Sequence, residues 1–132
     1  MTVFDIEEKP AVWFDMEDGG RIQLKTPTQG DLKEIQKKTV TKKVDYKRID
    51  GKAERFEIEE KNQDLENELF WDKCIVAWEK LFDIKNRPIE CTKENKLLLM
   101  HISMKFVKFI TDSMAQLSKD EAAKEGAAEK NS

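Results

Sequence analysis

The strongest constraint on this chain is a pair of apolar stripes at helical spacing, separated by a segment that breaks helices. Leu65, Leu69, Phe70, Cys74, Ala77, Trp78 and Leu81 form the first stripe, within residues 63–82. Leu98, Leu99, Ile102, Phe106, Phe109, Ile110, Met114 and Leu117 form the second. Between them Asn86 and Pro88 interrupt the pattern, and Thr92 is placed to cap the second helix with Glu94 in its first turn. Two broad apolar faces joined by a short connector leave water most simply by packing on each other. A helical core of two long helices is the expectation.

The N-terminal part reads differently. Over residues 11–25, Val12, Phe14 and Met16 alternate with Trp13 and Asp15, a turn follows at Gly19-Gly20, and Ile22 and Leu24 alternate on the return. One face of this hairpin is apolar, so it should lie on a core. Thr28 then caps a shorter helix, with Asp31 in its first turn and Leu32 and Ile35 as a narrow stripe fading by Thr39. Residues 44–58 read as a second hairpin around Asp50-Gly51. A three-residue loop would put Val44, Tyr46, Phe56 and Ile58 on one face, and a two-residue loop would split them; the first register is preferred because it gathers the apolar side chains. A disordered arm is the alternative for this weakly apolar stretch. The fold class expected is therefore α+β: a mainly helical core of two long helices plus a shorter one, an N-terminal β-hairpin and a second, exposed hairpin. Residues 1–117 would form a single small domain with a hairpin arm at about 42–60. Residues 118–132, with no apolar side chain larger than alanine, would form a flexible polar tail or a frayed helix.

Composition narrows the function. The chain has 132 residues, of which 39% are hydrophobic and 39% charged, against about a quarter charged in an average domain. Charges interrupt every apolar run, so no membrane span is expected. Residues 1–10 are acidic and carry no apolar signal core, so a cytoplasmic location and reduced Cys74 and Cys91 are expected. The single histidine, His101, has no partner at metal-ligand spacing, and Cys-x-x-Cys does not occur. Gly-x-Ser-x-Gly, Gly-x-Gly-x-x-Gly and the Walker loop are also missing from the sequence. Carboxylates are plentiful but sit in polar runs such as residues 57–60, where a solvated face accounts for them. Neither an enzyme nor a cofactor is expected.

Charge is uneven along the chain. Residues 33–55 carry nine basic and four acidic groups, net +5, within a chain of net −3. Such a patch could neutralise phosphates, yet its only aromatic is Tyr46 and acidic flanks compete for the lysines. Internal ion pairing is the favoured reading, an acidic protein partner comes next, and nucleic acid last.

At the connector the order of residues becomes informative. Trp78, Asp83, Asn86 and Pro88, followed by Thr92, Glu94, Asn95, Leu98 and Leu99, resemble the tail assembly chaperones of long-tailed bacteriophages and prophages. The N-terminal segment is also similar: Phe14, a Gly-Gly turn, then Ile22, Leu24, Pro27 and Thr28 before a helix. The matches fall within residues 11–117, and their order and spacing carry the resemblance. The basic hairpin at 42–60 departs from the family pattern.

The resemblance implies a non-enzymatic protein of the bacterial host cytoplasm that takes part in virion morphogenesis. It would bind the tape-measure protein by protein–protein interaction, keep it soluble, recruit the tail tube protein, and be absent from the mature virion. Spare apolar residues on the last helix, Leu97, Met100, Met104 and Val107, are the candidates for a partner surface, since methionine adapts to varied partners. Core filling is the competing reading of the same residues. The family also uses a programmed ribosomal frameshift. Glu129, Lys130 and Asn131 admit the codons GAA-AAA-AAC, which contain the slippery heptamer A-AAA-AAC. Two further readings stand beside this one: another phage structural or minor tail component retained in the virion, and a basic-arm nucleic-acid-binding protein.

Overall fold

The computed structural model describes residues 1–130. The chain divides into two compact units, the first made of Met1–Thr26 with the chain from Trp71 onward, the second of Pro27–Phe70.

The first unit is built on a small antiparallel sheet. β1 (Val12–Asp15) pairs with β2 (Arg21–Leu24) in the register Val12 opposite Leu24 and Phe14 opposite Ile22. These are the alternating apolar positions of the sequence, and they share the inward face. The turn between them closes through Met16 N–H donating to the Gly20 carbonyl at 2.7 Å, with Gly19 at φ +101°. On the outer face the Arg21 guanidinium lies 4.4 Å from the centre of the Trp13 ring.

The second unit begins with α1 (Gln29–Thr39), capped as expected. Thr28 Oγ1 accepts from the Asp31 N–H at 3.1 Å and Asp31 Oδ2 accepts from the Thr28 N–H at 3.0 Å, a reciprocal box that fixes the helix start. Ile35 and Thr39 are buried, and the Thr39 hydroxyl donates back to the Ile35 carbonyl at 2.8 Å. A two-stranded ribbon follows, β3 (Val40–Ile49) with β4 (Lys52–Lys61). α2 (Gln63–Cys74) then starts on Asn62, whose Oδ1 accepts from the Leu65 N–H at 3.1 Å.

The ribbon takes the two-residue loop, not the three-residue loop expected from its apolar pattern. Ile49 pairs with Lys52, leaving a two-residue loop in which Asp50 has φ +52° and Gly51 φ +79°. Two successive left-handed residues make a type I′ turn, whose twist matches that of the strands, and Asp-Gly supplies both residues at little strain. Local turn chemistry outweighed the gain from gathering apolar side chains. Val44 and Tyr46 therefore share one face, while Phe56 and Ile58 share the other with Lys43 and Asp45.

The helical core of two long helices plus a shorter one is not what the chain forms. There are four helices among the described residues and a third strand in the first sheet. The first apolar stripe is cut at Cys74: the chain leaves α2 and runs as β5 (Ile75–Glu79) beside β2, giving the sheet order β1-β2-β5. The reason lies in a β-bulge. Ile75 opposes Leu24 and Trp78 opposes Ile22, so the ladder gains one residue on β5 between them. Inward positions three residues apart are the result, and in sequence that spacing reads as a helix. The β-branched pair Ile75-Val76 and the open edge of β2 favour the extended form.

The second stripe is also cut. α3 (Lys93–Ile102) ends at Ser103, and α4 (Met104–Lys130) begins at once. Ser103 serves both ends: its N–H donates to the Leu99 carbonyl at 3.0 Å, and its Oγ accepts from the Phe106 N–H at 3.1 Å. One extended residue resets the helical phase, so the two halves of the stripe no longer share a face. Phe106 and Ile110 of α4 pack on Ile22, Leu24, Ile75 and Trp78 of the sheet, and this cluster is the core of the first unit.

Residues 118–130 are helical. Their polar side chains meet the N-terminal segment: Lys9 Nζ lies 3.1 Å from Glu121 Oε2, Lys124 Nζ 3.3 Å from Asp5 Oδ2, and the Val3 N–H donates to Glu129 Oε1 at 3.0 Å. The Thr26 hydroxyl donates to the other Glu121 oxygen at 3.0 Å. No helix in the described residues is long and apolar enough to cross a membrane.

Candidate functional site

Trp78, Asp83, Asn86, Pro88, Thr92, Glu94 and Asn95 form the connector of residues 78–95 with its flanks, and each has a local role there. Trp78 lies on β5 rather than on a helix. Its indole N–H donates to the Ile89 carbonyl at 2.7 Å, and its ring meets Phe106 edge to face at 6.0 Å. A buried tryptophan thus ties the far end of the connector to the core. Asp83 organises the turn: Oδ1 accepts from the backbone N–H groups of Lys85 at 2.8 Å and Arg87 at 3.0 Å, and Oδ2 accepts from the Arg87 guanidinium at 2.9 Å. These bonds, the Arg87 N–H first, hold the Asp83 carboxyl below its ordinary pKa.

Asn86 takes the left-handed conformation at φ +60°, which asparagine tolerates better than most residues. Pro88 bridges to Phe82 across the turn, where its missing N–H removes no ladder bond. Thr92 caps α3 by accepting from the Asn95 N–H at 3.2 Å, and the Asn95 side chain donates to the Glu90 carbonyl at 2.9 Å. Glu94 stands exposed in the first turn, favourable to the helix dipole. Cys91 is half-buried, and loss of water raises its thiol pKa.

Directly after this turn comes an apolar surface, made by residues other than those the sequence singled out. Of the four candidates, Met100 packs against the core cluster, Leu97 and Val107 are half-buried, and Met104 is 84% exposed. Leu98 and Ile102, which the sequence placed in the buried stripe, are 51% and 65% exposed. They lie four residues apart on one face of α3. The signal that could have found them is Ser103, a good N-cap in mid-stripe. Leu98 and Ile102 thus stand in water on α3, with Met104 exposed just past the break. Of the frameshift residues, Glu129 and Lys130 end α4, and Asn131 lies outside the described residues.

A cleft of about 630 Å3 lies within the second unit, lined by Leu32, Ile35, Val40 and Phe70 with Glu59 and Lys61. Among the described residues no group of three or more His, Cys, Asp or Glu is placed to hold a metal ion. Comparison of the chain with protein-family models, with curated proteins and with solved structures gives no match.

Proposed function

We propose that this chain is a non-enzymatic tail assembly chaperone of a long-tailed phage or prophage, binding the tape-measure protein and promoting assembly of the tail tube. The observation that carries the proposal is the apolar face of Leu98 and Ile102, with Met104 beside it, next to a connector fixed by Trp78, Asp83 and Thr92. Large side chains left in water on a helix whose other side is anchored to a core suit the apolar face of another helix. An amphipathic tape-measure segment is the ligand this reading names. Release from such a face requires no chemistry, only competition, which fits a protein that acts in the host cytoplasm and leaves before the virion is complete. A longer frameshifted product belongs to the same reading. Within the hairpin, Lys42 and Lys47 of β3 lie across from Glu59 and Glu54 of β4, which favours a protein partner over nucleic acid.

Co-expression tests the reading. The tape-measure protein should become soluble and co-purify with the wild-type chain, and Leu98→Glu with Ile102→Glu should abolish both without changing the thermal midpoint. Mass spectrometry of purified particles should find no copy of the chain; its presence there would favour a retained tail component instead.

A further inference from the structure

The β3–β4 ribbon has strands of ten residues, about 33 Å each at ordinary strand rise, and every residue of both strands except Val40 is exposed. Val44, Tyr46, Ile49, Phe56 and Ile58 are all exposed, from 37% for Phe56 to 66% for Tyr46. A two-stranded ribbon without a covered face is marginal by itself, and a third strand is the usual remedy. Both edges of this one are long; on β3 the outward Tyr46 N–H donates to Asp45 Oδ1 at 2.8 Å, an exposed local bond that an added strand would displace.

The chemistry of the edges differs. β3 carries Lys42, Lys43, Lys47 and Arg48 against one acid, Asp45. β4 carries Glu54, Glu57, Glu59 and Glu60, interrupted by Arg55 and flanked by Lys52 and Lys61. Within the ribbon Lys42 stands opposite Glu59 and Lys47 opposite Glu54, and Lys43 Nζ reaches Glu60 Oε1 at 3.0 Å. Alternation of hydrogen-bonded and open pairs decides what each edge offers. Ile49 and Lys52 flank a two-residue loop and bond each other, so the backbone groups of Lys42, Val44, Tyr46 and Arg48 point outward, as do those of Ala53, Arg55, Glu57 and Glu59.

We propose that the ribbon docks a second copy of this chain, with the outer edge of β4 pairing antiparallel to the outer edge of β3 in the next copy. A ribbon translated by one strand pair brings β4 beside the neighbour's β3 in the internal register. Lys42 again meets Glu59, Tyr46 meets Arg55, and the outward groups on both sides fall opposite one another. Net charge favours this pairing: β3 carries four cations against one acid and β4 four acids against three cations, so β3 on β3 joins two basic edges and β4 on β4 two weakly acidic ones, whereas β4 on β3 joins opposite signs. The contact is therefore head-to-tail, and it builds rings or open stacks rather than two-fold dimers. It uses none of the α3 face assigned to the tape-measure partner, so either assignment can fail without the other.

Proline separates edge from ribbon. Val44→Pro removes an outward donor from β3 and Glu57→Pro one from β4, while the bonds inside the ribbon stay intact. Sedimentation of the full wild-type chain at high micromolar concentration should show a multimer, and each variant alone should sediment as one chain, with circular dichroism and thermal midpoint unchanged. Mixing the two variants should give a one-to-one dimer, because each retains the edge the other lacks. A monomeric wild type overturns the proposal, as does Val44→Pro retaining the wild-type mass. A dimer formed by Glu57→Pro or Val44→Pro alone overturns the head-to-tail geometry. Should either proline variant lose its ribbon signal, the mass of the wild type and of Lys42→Glu with Lys47→Glu decides: the charge variant should fall to a monomer at low salt.

Discussion

The ribbon β1–β2 has strands of four residues, and the ribbon β3–β4 has strands of ten. The short one is anchored, because Ile22 and Leu24 are completely buried and a third strand and a helix pack beside them. The long one has the full ladder of ten residue pairs, yet none of its residues is buried. Hydrogen bonds between strands replace hydrogen bonds to water, so length adds little net stability, whereas parity decides how much apolar surface is removed from solvent. In β1–β2 the register puts all the large aliphatic side chains on one face. In β3–β4 the type I′ turn divides them between two.

Substitutions can break this contrast. Trp78→Ala in the anchored sheet removes the packing on Phe106 and the bond to Ile89, and should lower stability by about 3–5 kcal/mol in chemical denaturation. A loss below about 1 kcal/mol would mean that the core is not where the sheet places it. Thr92→Ala should lose about 1 kcal/mol, the ordinary effect of removing a helix cap, and Thr92→Asp should restore it. Phe56→Ala in the open ribbon should change the monomer's stability by no more than about 0.5 kcal/mol, despite deleting a larger side chain than Thr92→Ala does. A large effect there would show that the ribbon is covered.

The smallest effect concerns pH. The Asp83 carboxyl is held below its ordinary pKa in the folded chain, chiefly by the Arg87 N–H. Asp5 and Asp18 are lowered as well, Asp5 by the Glu7 N–H with help from Lys124, Asp18 by Lys105. A lowered folded pKa means that the stabilisation is complete above the unfolded carboxylate value and fades as pH falls through the folded one. Acid should therefore weaken the connector below about pH 4, the unfolded aspartate range. Amide exchange at Lys85 and Arg87 should report it, and Asp83→Asn should show fast exchange there at every pH.

Legibility from sequence followed how local each cause was. The hairpin of residues 11–25, the Thr28 and Thr92 caps and the connector turn depend on neighbours a few positions away, and all are found where the residues put them. Strand β5 could not be read that way. Ile75 and Trp78 have helical spacing, and only the open edge of β2, some fifty residues earlier in the chain, turns that spacing into a bulged strand. The α3 face was misassigned for a related reason. Leu98 and Ile102 belong to an unbroken apolar period in the sequence, and one extended residue at Ser103 put them in water.

By itself the sequence determined the α+β class, the places of both hairpin turns, the Thr28 and Thr92 caps, and the residues of the connector, because propensity, capping and turn chemistry act over a few bonds. Tertiary structure alone decided which apolar side chains are hidden. Burial depends on what lies across the fold, and a single added residue in a ladder or a single break in a helix reverses which face is inward.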